Sequence, residues 1–328
     1  MQGDFLSGSL SYPIIAVIIP AYKVEKLIAS VLQSIPDCVS RIYVVDDCCP
    51  NHSGAVASST STTIPLTVLR HAENGGVGAA VITGYRAAIG DGADILIKID
   101  GDGQMNPGLI AHFIAPILNG DSDYSKGNRF YDLENIGIMP PIRIFGNAIL
   151  SFMTKLSSGY WNIFDPTNGF TAIHSNVARR LPFDKISKRY FFETDMLFRL
   201  NLLGAVVIDV PMDARYGQEV SNLKISNIFT EFLHKHIKNF FKRIFYNYFL
   251  RDFSLASIEL LFGSILFLFG IFYGGYHWYQ ANEMQINSPV GTVMLPALTT
   301  LLGMQLLLGF LAYDIRSTPS KCIHRLLS

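Results

Sequence analysis

The chain has 328 residues, a formal net charge of zero, a charged-residue content of only 16% and a mean hydropathy of +0.29. Residues 1–230 hold 18 basic against 21 acidic side chains, whereas residues 231–328 hold 8 against 5. A basic stripe on a basic domain is missing, which excludes an ordinary nucleic-acid-binding protein. The four cysteines show neither metal-ligand spacing nor a disulfide framework, and Met1–Tyr12 lacks the pattern of a signal peptide.

Apolar strands alternate with helical segments over the first hundred residues. Short β-branched runs predict strands at Ile14–Ile19, Arg41–Val45, Leu66–Leu69 and Ile95–Ile99. Helical spacing predicts helices at Val24–Ile35 and Gly78–Ile89. The alternation indicates right-handed βαβ units in a doubly wound α/β sheet, where ligands bind beyond the carboxyl ends of the strands.

The pattern becomes mixed after about residue 121. It predicts strands at Tyr124–Phe130 and Ala205–Val210, and helices within Met139–Ser158 and at Phe192–Leu203. Glu231–Arg251 is amphipathic, which is typical of a helix lying in a membrane interface, although a helix packed on the soluble domain would give the same pattern. Its predicted apolar face consists of Leu233, Ile237, Phe240, Phe241, Ile244 and Tyr248.

Two long apolar segments, Phe253–Tyr279 and Val290–Tyr313, close the chain. Each is longer than the about 20 helical residues that cross a hydrocarbon core. Basic residues flank the pair on both sides, whereas the loop Gln280–Ser288 has none. The positive-inside rule therefore predicts a multi-pass protein of the inner or plasma membrane, with both termini and the α/β domain in the cytoplasm.

These patterns divide the chain into four parts. We predict an N-terminal tail at 1–12, a catalytic α/β domain at 13–230, a juxtamembrane helix at 231–252, and a hairpin with a short cytoplasmic tail at 253–328. Glycines within the two spans would also allow a homo-oligomer.

An Asp-x-Asp motif follows the fourth predicted strand and is the strongest candidate metal site. Asp100, Asp102 and Gln104 alternate, so their oxygens can converge on one point. Mg²⁺ and Mn²⁺ prefer such oxygen ligands and are often completed by substrate phosphates. The motif alone is weak because Asp and Gly are common in turns, but its place after a buried strand strengthens it.

Polar residues also follow two other predicted strands. Pro20-Ala21-Tyr22 ends the first, and Asp46-Asp47 ends the second, where carboxylates could bind a base or a ribose. A helix cap or a turn would explain the two aspartates equally well. Asn74–Gly78 precedes a helix and suits an anion, but a tight loop is an equal alternative.

Three arginines are candidates for binding an anionic ligand: Arg129, Arg143 and Arg215. A guanidinium fork matches phosphate oxygens, although a single arginine is more often a solvated surface residue. Asp165 lies in the turn-like segment Asp165–Phe170, which could place it in a cleft or form a plain Asx turn.

Seven motifs in this order resemble family 2 glycosyltransferases of the polyprenyl-phosphate type, which include dolichyl-phosphate mannose synthases and bacterial bactoprenol glucosyltransferases. The resemblance covers residues 13–225. The motifs are Pro20-Ala21-Tyr22, Val44–Asp47, Asn74–Gly78, Asp100–Gln104, Gly127–Phe130, Asp165–Phe170 and Arg215-Tyr216-Gly217. The chain departs from the family at Lys23-Val24, at Cys48–His52 and after Gly217, which weakens the assignment of the base contacts and of Lys224.

The resemblance implies a GT-A fold with a mixed sheet and an inverting, Mg²⁺- or Mn²⁺-dependent transfer of a hexose from a nucleotide sugar to polyprenyl phosphate. It implies UDP-glucose as the donor and undecaprenyl phosphate as the acceptor. The acceptor phosphate would be held by Arg129 and Arg143, near Asp165, and the metal by Asp100, Asp102 and Gln104. The nucleotide sugar would be bound by Pro20, Ala21, Tyr22, Val45, Asp46, Asp47, Gly76, Gly78, Asp100, Gly101, Arg215 and Lys224.

Two other functions are open from the sequence. A processive polysaccharide synthase normally carries a Gln-x-x-Arg-Trp motif, and neither Trp161 nor Trp278 has that context. A non-catalytic nucleotide-sugar-binding membrane scaffold would be expected to have a broken metal site, whereas the Asp-x-Asp motif is intact.

Overall fold

The computed structural model describes residues 12–131, 141–213 and 225–327, with the backbone alone for 141–143 and 225–229. The described residues form one sheet of seven strands in the order β3-β2-β1-β4-β6-β5-β7. The strands are β1 Ile15–Ala21, β2 Arg41–Asp46, β3 Leu66–Arg70, β4 Ile95–Lys98, β5 Tyr124–Asn128, β6 Thr171–His174 and β7 Val207–Pro211.

The sheet is mixed, as the resemblance implies. Strands β1 to β4 run parallel to one another, β6 runs antiparallel to β4 and β5, and β5 pairs in parallel with β7. Strand β6 was not predicted because it has only four residues and directly follows a turn-like segment. It is the strand that places the Asp165 segment beside the end of β4, because Lys98 pairs with Thr171.

Helices cover both faces of the sheet. One face packs against α1 Ile28–Gln33, α2 Ser53–Ser59 and α4 Ile110–Asn119. The other packs against α3 Val77–Gly90, α6 Ser175–Ala178 and α7 Phe192–Leu203. Side chains of β1 alternate between the two cores, which explains why its sequence is continuously apolar. The predicted helix Val24–Ile35 is shorter than expected, and α2 was not predicted.

Two helices connect the sheet to the C-terminal hairpin. Helix α5 spans Pro141–Ser158 and packs against α8, which spans Ile225–Phe245. A π-helical turn at Tyr246–Arg251 follows α8, so the predicted continuous helix Glu231–Arg251 was wrong in its bounds. A π-helical turn leaves part of the α-helical hydrogen-bond pattern behind and redirects the chain into the hairpin.

The predicted apolar face of α8 is split in the structure. Ile244 and Tyr248 are buried, whereas Leu233, Ile237 and Phe241 are exposed. The helix packs on the catalytic domain through polar side chains instead. His236 meets Ser157, Asn239 donates to Asp195, and Arg243 donates to the carbonyl of Leu156.

The hairpin consists of α9 Leu255–Glu283 and α10 Val290–Arg316, each slightly longer than its predicted span. Both are long and apolar enough to cross a membrane, and only 22% and 17% of their most apolar windows are buried. A core helix of a soluble protein would be mostly buried. The spans' glycines are used inside the hairpin, because a Cβ on Gly303 would lie 2.5 Å from the backbone nitrogen of Phe267.

Candidate active site

The carboxyl ends of β1, β2 and β4 meet at one edge of the sheet, as the sequence predicts. Ala21 pairs with Asp46 across β1 and β2, and the backbone N–H of Asp47 donates to the carbonyl of Ala21. Tyr22 is exposed at this edge, whereas the side chains of Ala21 and Val45 are fully buried. Val45 lies within the sheet, paired with Pro20 on one side and Leu69 on the other, so Tyr22 is the accessible one of these three residues.

Asp46 and Asp47 both accept hydrogen bonds from backbone N–H groups, Asp46 from nearby residues and Asp47 from a distant loop. Asp46 accepts hydrogen bonds from the N–H groups of Cys49 at 2.7 Å and Gly54 at 3.0 Å, which fixes the start of α2. Asp47 accepts from the N–H groups of Gly75 at 2.8 Å and Gly76 at 2.7 Å. The contacts of Asp46 are those of a local turn, whereas Asp47 holds the loop before α3.

The loop Asn74–Gly78 is shaped by the hydrogen bonds that Asp47 accepts from Gly75 and Gly76. Gly76 has φ +92°, a conformation that side chains other than glycine rarely adopt, and it directly precedes α3. A Cβ on Gly78 would lie 2.6 Å from the ring of Phe192. Gly78 therefore packs α3 against α7, while Gly76 shapes the loop that Asp47 holds.

The Asp-x-Asp segment forms a turn directly beyond β4. Asp102 accepts a hydrogen bond from the N–H of Gln104 at 3.0 Å, and Asp102 and Gln104 are both partly accessible. Gly101 is buried against the side chains of Val24 and Ile28. The turn is thus packed on one side and presents carboxylate and amide oxygens on the other.

Arg129 and Asp165 form a bidentate pair. The Nε of Arg129 lies 2.7 Å from one carboxylate oxygen of Asp165, and an Nη lies 2.9 Å from the other. Asp165 is almost fully buried, while 27% of the Arg129 side chain remains exposed. Burial opposes ionisation of Asp165, but the hydrogen bonds of Arg129 and the charge of Lys126 hold the pKa of Asp165 below its ordinary range.

The Asp165–Phe170 segment connects the arginine to the Asp-x-Asp turn. At one end Asp165 holds Arg129. At the other end Gly169 lies so close to β4 that an added Cβ would be 2.6 Å from Oδ2 of Asp100 and 2.4 Å from Nζ of Lys98. The segment, which is buried except at Thr167, therefore contacts the candidate phosphate-binding residue at one end and the candidate metal-binding turn at the other.

Three charged residues near the site were missed by the sequence analysis, namely Lys98, Lys126 and Asp209. Lys98 is buried on β4 and contacts Asp100 at 3.0 Å and Glu193 at 2.9 Å. Burial lowers the pKa of Lys98, but the two carboxylates outweigh that effect and raise it above the ordinary value. The sequence feature that could have identified Lys98 was a lysine within an otherwise apolar strand. Glu193 lies in the first turn of α7, and its carboxylate pairs with Lys98.

A second buried lysine, Lys126, lies on β5. Burial lowers its pKa, and the charges of Asp165 and Asp209 offset part of that effect. Asp209 accepts hydrogen bonds from Asn128 and from the N–H of Phe164, both at 3.0 Å, and burial raises the pKa of Asp209. Asp209 thus holds the strand end before Arg129 and the loop before Asp165.

Three predicted site residues are not placed by side chain. Arg143 lies in the first turn of α5, where the backbone alone is described. Arg215 and Lys224 lie outside the described residues. Their roles remain predictions.

The C-terminal tail supplies the one His/Cys/Asp/Glu group with metal-ligand spacing in the ranges that the structure describes. It consists of Asp123, Cys322 and His324. Asp123, however, accepts from the N–H of His324 at 2.8 Å, its Nδ1 at 2.7 Å and the N–H of Val206 at 2.8 Å. These contacts dock the tail on the catalytic domain and use both carboxylate oxygens.

Comparisons with known proteins agree with this geometry. Residues 16–181 match the family described as Glycosyl transferase family 2. The chain is 31% identical over 191 residues to a UDP-N-acetylglucosamine–dolichyl-phosphate N-acetylglucosaminyltransferase of Methanococcus voltae, covering 54% of this chain and 76% of that protein. It is 29% identical over 202 residues to an undecaprenyl-phosphate mannosyltransferase of Micrococcus luteus, covering 60% of this chain and 82% of that protein.

A solved structure has the same fold. It is the glucosyl-3-phosphoglycerate synthase of Mycobacterium tuberculosis, crystallised with Mn²⁺, uridine diphosphate and glucosyl-3-phosphoglycerate. The TM-score is 0.53 at 19% identity, covering 70% of this chain and 80% of the other. At this identity the likeness shows the fold alone, and the GT-A fold class predicted from the sequence is confirmed.

Proposed function

Because the chain belongs to glycosyl transferase family 2, we propose that it transfers a hexose from a nucleotide sugar to polyprenyl phosphate. The proposed transfer inverts the configuration at the anomeric carbon of the sugar and uses Mg²⁺ or Mn²⁺. The relatives from Methanococcus voltae and Micrococcus luteus support the acceptor, because each is named for transfer to a polyprenyl phosphate. We propose UDP-glucose as the donor, undecaprenyl phosphate as the acceptor and the cytoplasmic membrane face as the location.

The observation that carries this proposal is that the Asp165–Phe170 segment contacts both candidate groups. The segment joins a partly exposed guanidinium at Arg129 to the Asp-x-Asp turn, with Gly169 packed against Asp100. A phosphate acceptor and a sugar diphosphate donor require such adjacent groups, one cationic and one rich in oxygen ligands.

The residues at the Asp-x-Asp turn fit a hard divalent cation. Asp100 and Asp102 offer carboxylates and Gln104 offers an amide oxygen, which are the ligand types that Mg²⁺ and Mn²⁺ prefer. A cation bound there would neutralise charge that develops on the leaving diphosphate. Tyr22 is exposed at the same sheet edge, where we propose that the nucleoside binds.

The acceptor phosphate is itself an anionic nucleophile, so the reaction needs little help from a general base. We propose that Arg129 orients the phosphate and that Asp165 fixes the direction of the guanidinium. The low pKa of Asp165 supports this role, because a carboxylate that is held ionised by an arginine is a weak proton acceptor. Positioning and electrostatic stabilisation would then supply most of the rate.

The hairpin supports a lipid substrate. The end of α10 lies beside the catalytic domain, because Asp314 there accepts hydrogen bonds from Arg243 and from the indole of Trp161. Ile237 and Phe241 of α8, the helix that carries Arg243, are exposed. We propose that this apolar surface lies in the membrane interface, which would bring a lipid phosphate to the site.

The direct test is transfer from radiolabelled UDP-glucose, UDP-N-acetylglucosamine and GDP-mannose to undecaprenyl phosphate in detergent. We expect an organic-extractable labelled lipid from one donor, and we expect chelation of divalent cations to abolish it. A product from a donor other than UDP-glucose would correct the sugar alone. Protein that binds nucleotide but forms no lipid product would favour the scaffold function.

Asp102→Asn is the matched variant for this assay. It keeps the size of the side chain but removes the charge that a divalent cation requires, so we expect transfer to be lost while the unfolding temperature is retained. Asp184→Asn, which changes an exposed carboxylate paired with Arg86, is the control for net charge. Full metal-dependent turnover in Asp102→Asn would remove Asp102 from the metal site.

A further inference from the structure

Lys98 is the most unusual ionisable residue of the sheet. It lies on β4, between the apolar side chains of Ile97 and Ile99, and only 1% of its side chain is exposed. A buried ammonium is costly unless it is paired, and Lys98 is paired twice, with Asp100 and with Glu193. Asp100 and Glu193 therefore share the single positive charge of Lys98.

Strand geometry explains why Lys98 meets Asp100. Side chains two positions apart project from the same face of a strand, so Lys98 and Asp100 both face the side on which α7 packs. Glu193, in the first turn of α7, approaches Lys98 from that side at 2.9 Å. The ammonium thus bridges the first helical turn of α7 and the Asp-x-Asp turn.

The carboxylate of Asp100 is confined by these contacts. Its Oδ1 lies 3.0 Å from Nζ of Lys98. On the other side the backbone of Gly169 approaches so closely that a Cβ there would lie 2.6 Å from Oδ2. The side chain is therefore held in one orientation by an ion pair and by a close backbone contact.

We propose that Lys98 and Glu193 are positioning residues for the divalent cation, an inference that rests on the proposed function of the Asp-x-Asp turn. Lys98 holds Asp100 in orientation, and Glu193 shares the ammonium so that Asp100 retains enough negative charge to bind a cation. The three groups together carry a net charge of −1, and Asp102 adds a second negative charge. The total matches the charge of one divalent cation.

The proposal makes Glu193 act through Lys98 on a metal that it does not touch. In Glu193→Gln the ammonium would pair with Asp100 alone and would oppose the cation more strongly. A merely structural role, in which the pair only joins β4 to α7, would change stability and leave metal affinity unaltered. Metal affinity and stability therefore separate the two roles.

The experiment measures Mn²⁺ binding by electron paramagnetic resonance to the purified full chain in detergent, with uridine diphosphate present. We expect Glu193→Gln to bind Mn²⁺ about tenfold more weakly than the natural chain, a difference of about 1.4 kcal/mol. Asp184→Asn, with the same change in net charge at an exposed site, should bind as the natural chain does. Equal affinities in the two variants would overturn the proposal.

The double variant Lys98→Met/Glu193→Gln gives a second, independent test. It removes the ammonium together with its second partner, so Asp100 regains its full charge and Mn²⁺ affinity should recover to within about threefold of the natural value. Affinity as weak as in Glu193→Gln, with a native circular dichroism spectrum, would contradict charge sharing.

A natural chain that binds no Mn²⁺ would also overturn this proposal. The lipid-transfer assay would still decide the proposed reaction, because it detects labelled product whatever holds the donor. Failure of the inference and failure of the proposed function are therefore distinguishable.

Discussion

Two arginine–aspartate pairs in different regions of the molecule differ in how far the arginine is exposed. Arg129 pairs with Asp165 at the candidate site, and Arg243 pairs with Asp314 where α10 ends. Both are bidentate, yet 27% of the Arg129 side chain is exposed against 2% of Arg243. The same ion pair can therefore present a cation to a ligand or be enclosed completely.

The partners of the two aspartates explain the difference. Asp314 also accepts hydrogen bonds from Tyr248 at 2.6 Å and Trp161 at 2.9 Å, so aromatic side chains enclose the pair. Asp165 is held by the amide of Asn168 and by the backbone of Arg129, on a loop at the sheet edge. We infer that the enclosed pair fastens the hairpin and that the open pair binds substrate.

The largest expected effect comes from breaking the enclosed pair. Arg243→Ala would leave the buried carboxylate of Asp314 without its counter-charge, and we expect the free energy of unfolding in detergent to fall by about 3–5 kcal/mol. Lys235→Ala on the same helix, which breaks a solvent-exposed pair with Glu231, should cost less than about 1 kcal/mol. Similar losses in the two variants would contradict an enclosed structural role.

Breaking the open pair should weaken the acceptor step, while the charge of Lys126 still compensates part of the buried carboxylate of Asp165. We expect Arg129→Ala to lower kcat/KM for the lipid acceptor by about 10- to 100-fold, because a charge-assisted hydrogen bond contributes about 1.5–3 kcal/mol. The KM for the nucleotide sugar should change much less. Arg129→Lys keeps the charge but loses the guanidinium fork. Its kcat/KM for the acceptor should lie between the values of the natural chain and of Arg129→Ala. Equal losses for donor and acceptor would refute the role in acceptor binding.

The smallest effect is a difference in pH dependence. The folded-state pKa of Asp165 lies below its ordinary value of 3.8, so the stability it contributes is present above about pH 4 and is lost as pH falls through the folded pKa. We expect Asp165→Asn to be less stable at neutral pH and to lose less stability on acidification below pH 4. Denaturation curves measured from pH 7 to pH 3 would test this, and parallel losses in both chains would contradict it.

The fold was largely predictable because its elements have strong local patterns. The four parallel strands β1 to β4 are short apolar runs that end in polar residues, and the hairpin has two long apolar spans. Strand β6 could not be predicted, because Thr171–His174 has no local pattern and forms by pairing with β4 and β5. The family and fold class implied by the resemblance are confirmed, while the site roles, the sugar and the topology remain proposals.

The orientation of α8 shows how tertiary contacts change a local prediction. Its sequence pattern placed Ile237, Phe241, Ile244 and Tyr248 on one apolar face, and all four were expected to share one environment. In the structure Ile244 and Tyr248 face the hairpin, while Ile237 and Phe241 are exposed. Hydrogen bonds from Asn239 and Arg243 fix this rotation, and both partners lie far away in the sequence.

The sequence by itself determined the α/β sheet, the position of the Asp-x-Asp turn at a strand end and the two membrane-length helices, because each depends on residues close together in the chain. The tertiary structure alone decided which charges meet. Lys98 pairs with Glu193, which is 95 positions away in the sequence. Arg129 pairs with Asp165 at a separation of 36 positions, and Arg243 pairs with Asp314 at a separation of 71. Ion pairs carry no local pattern, so their partners become visible only when packing brings distant segments together.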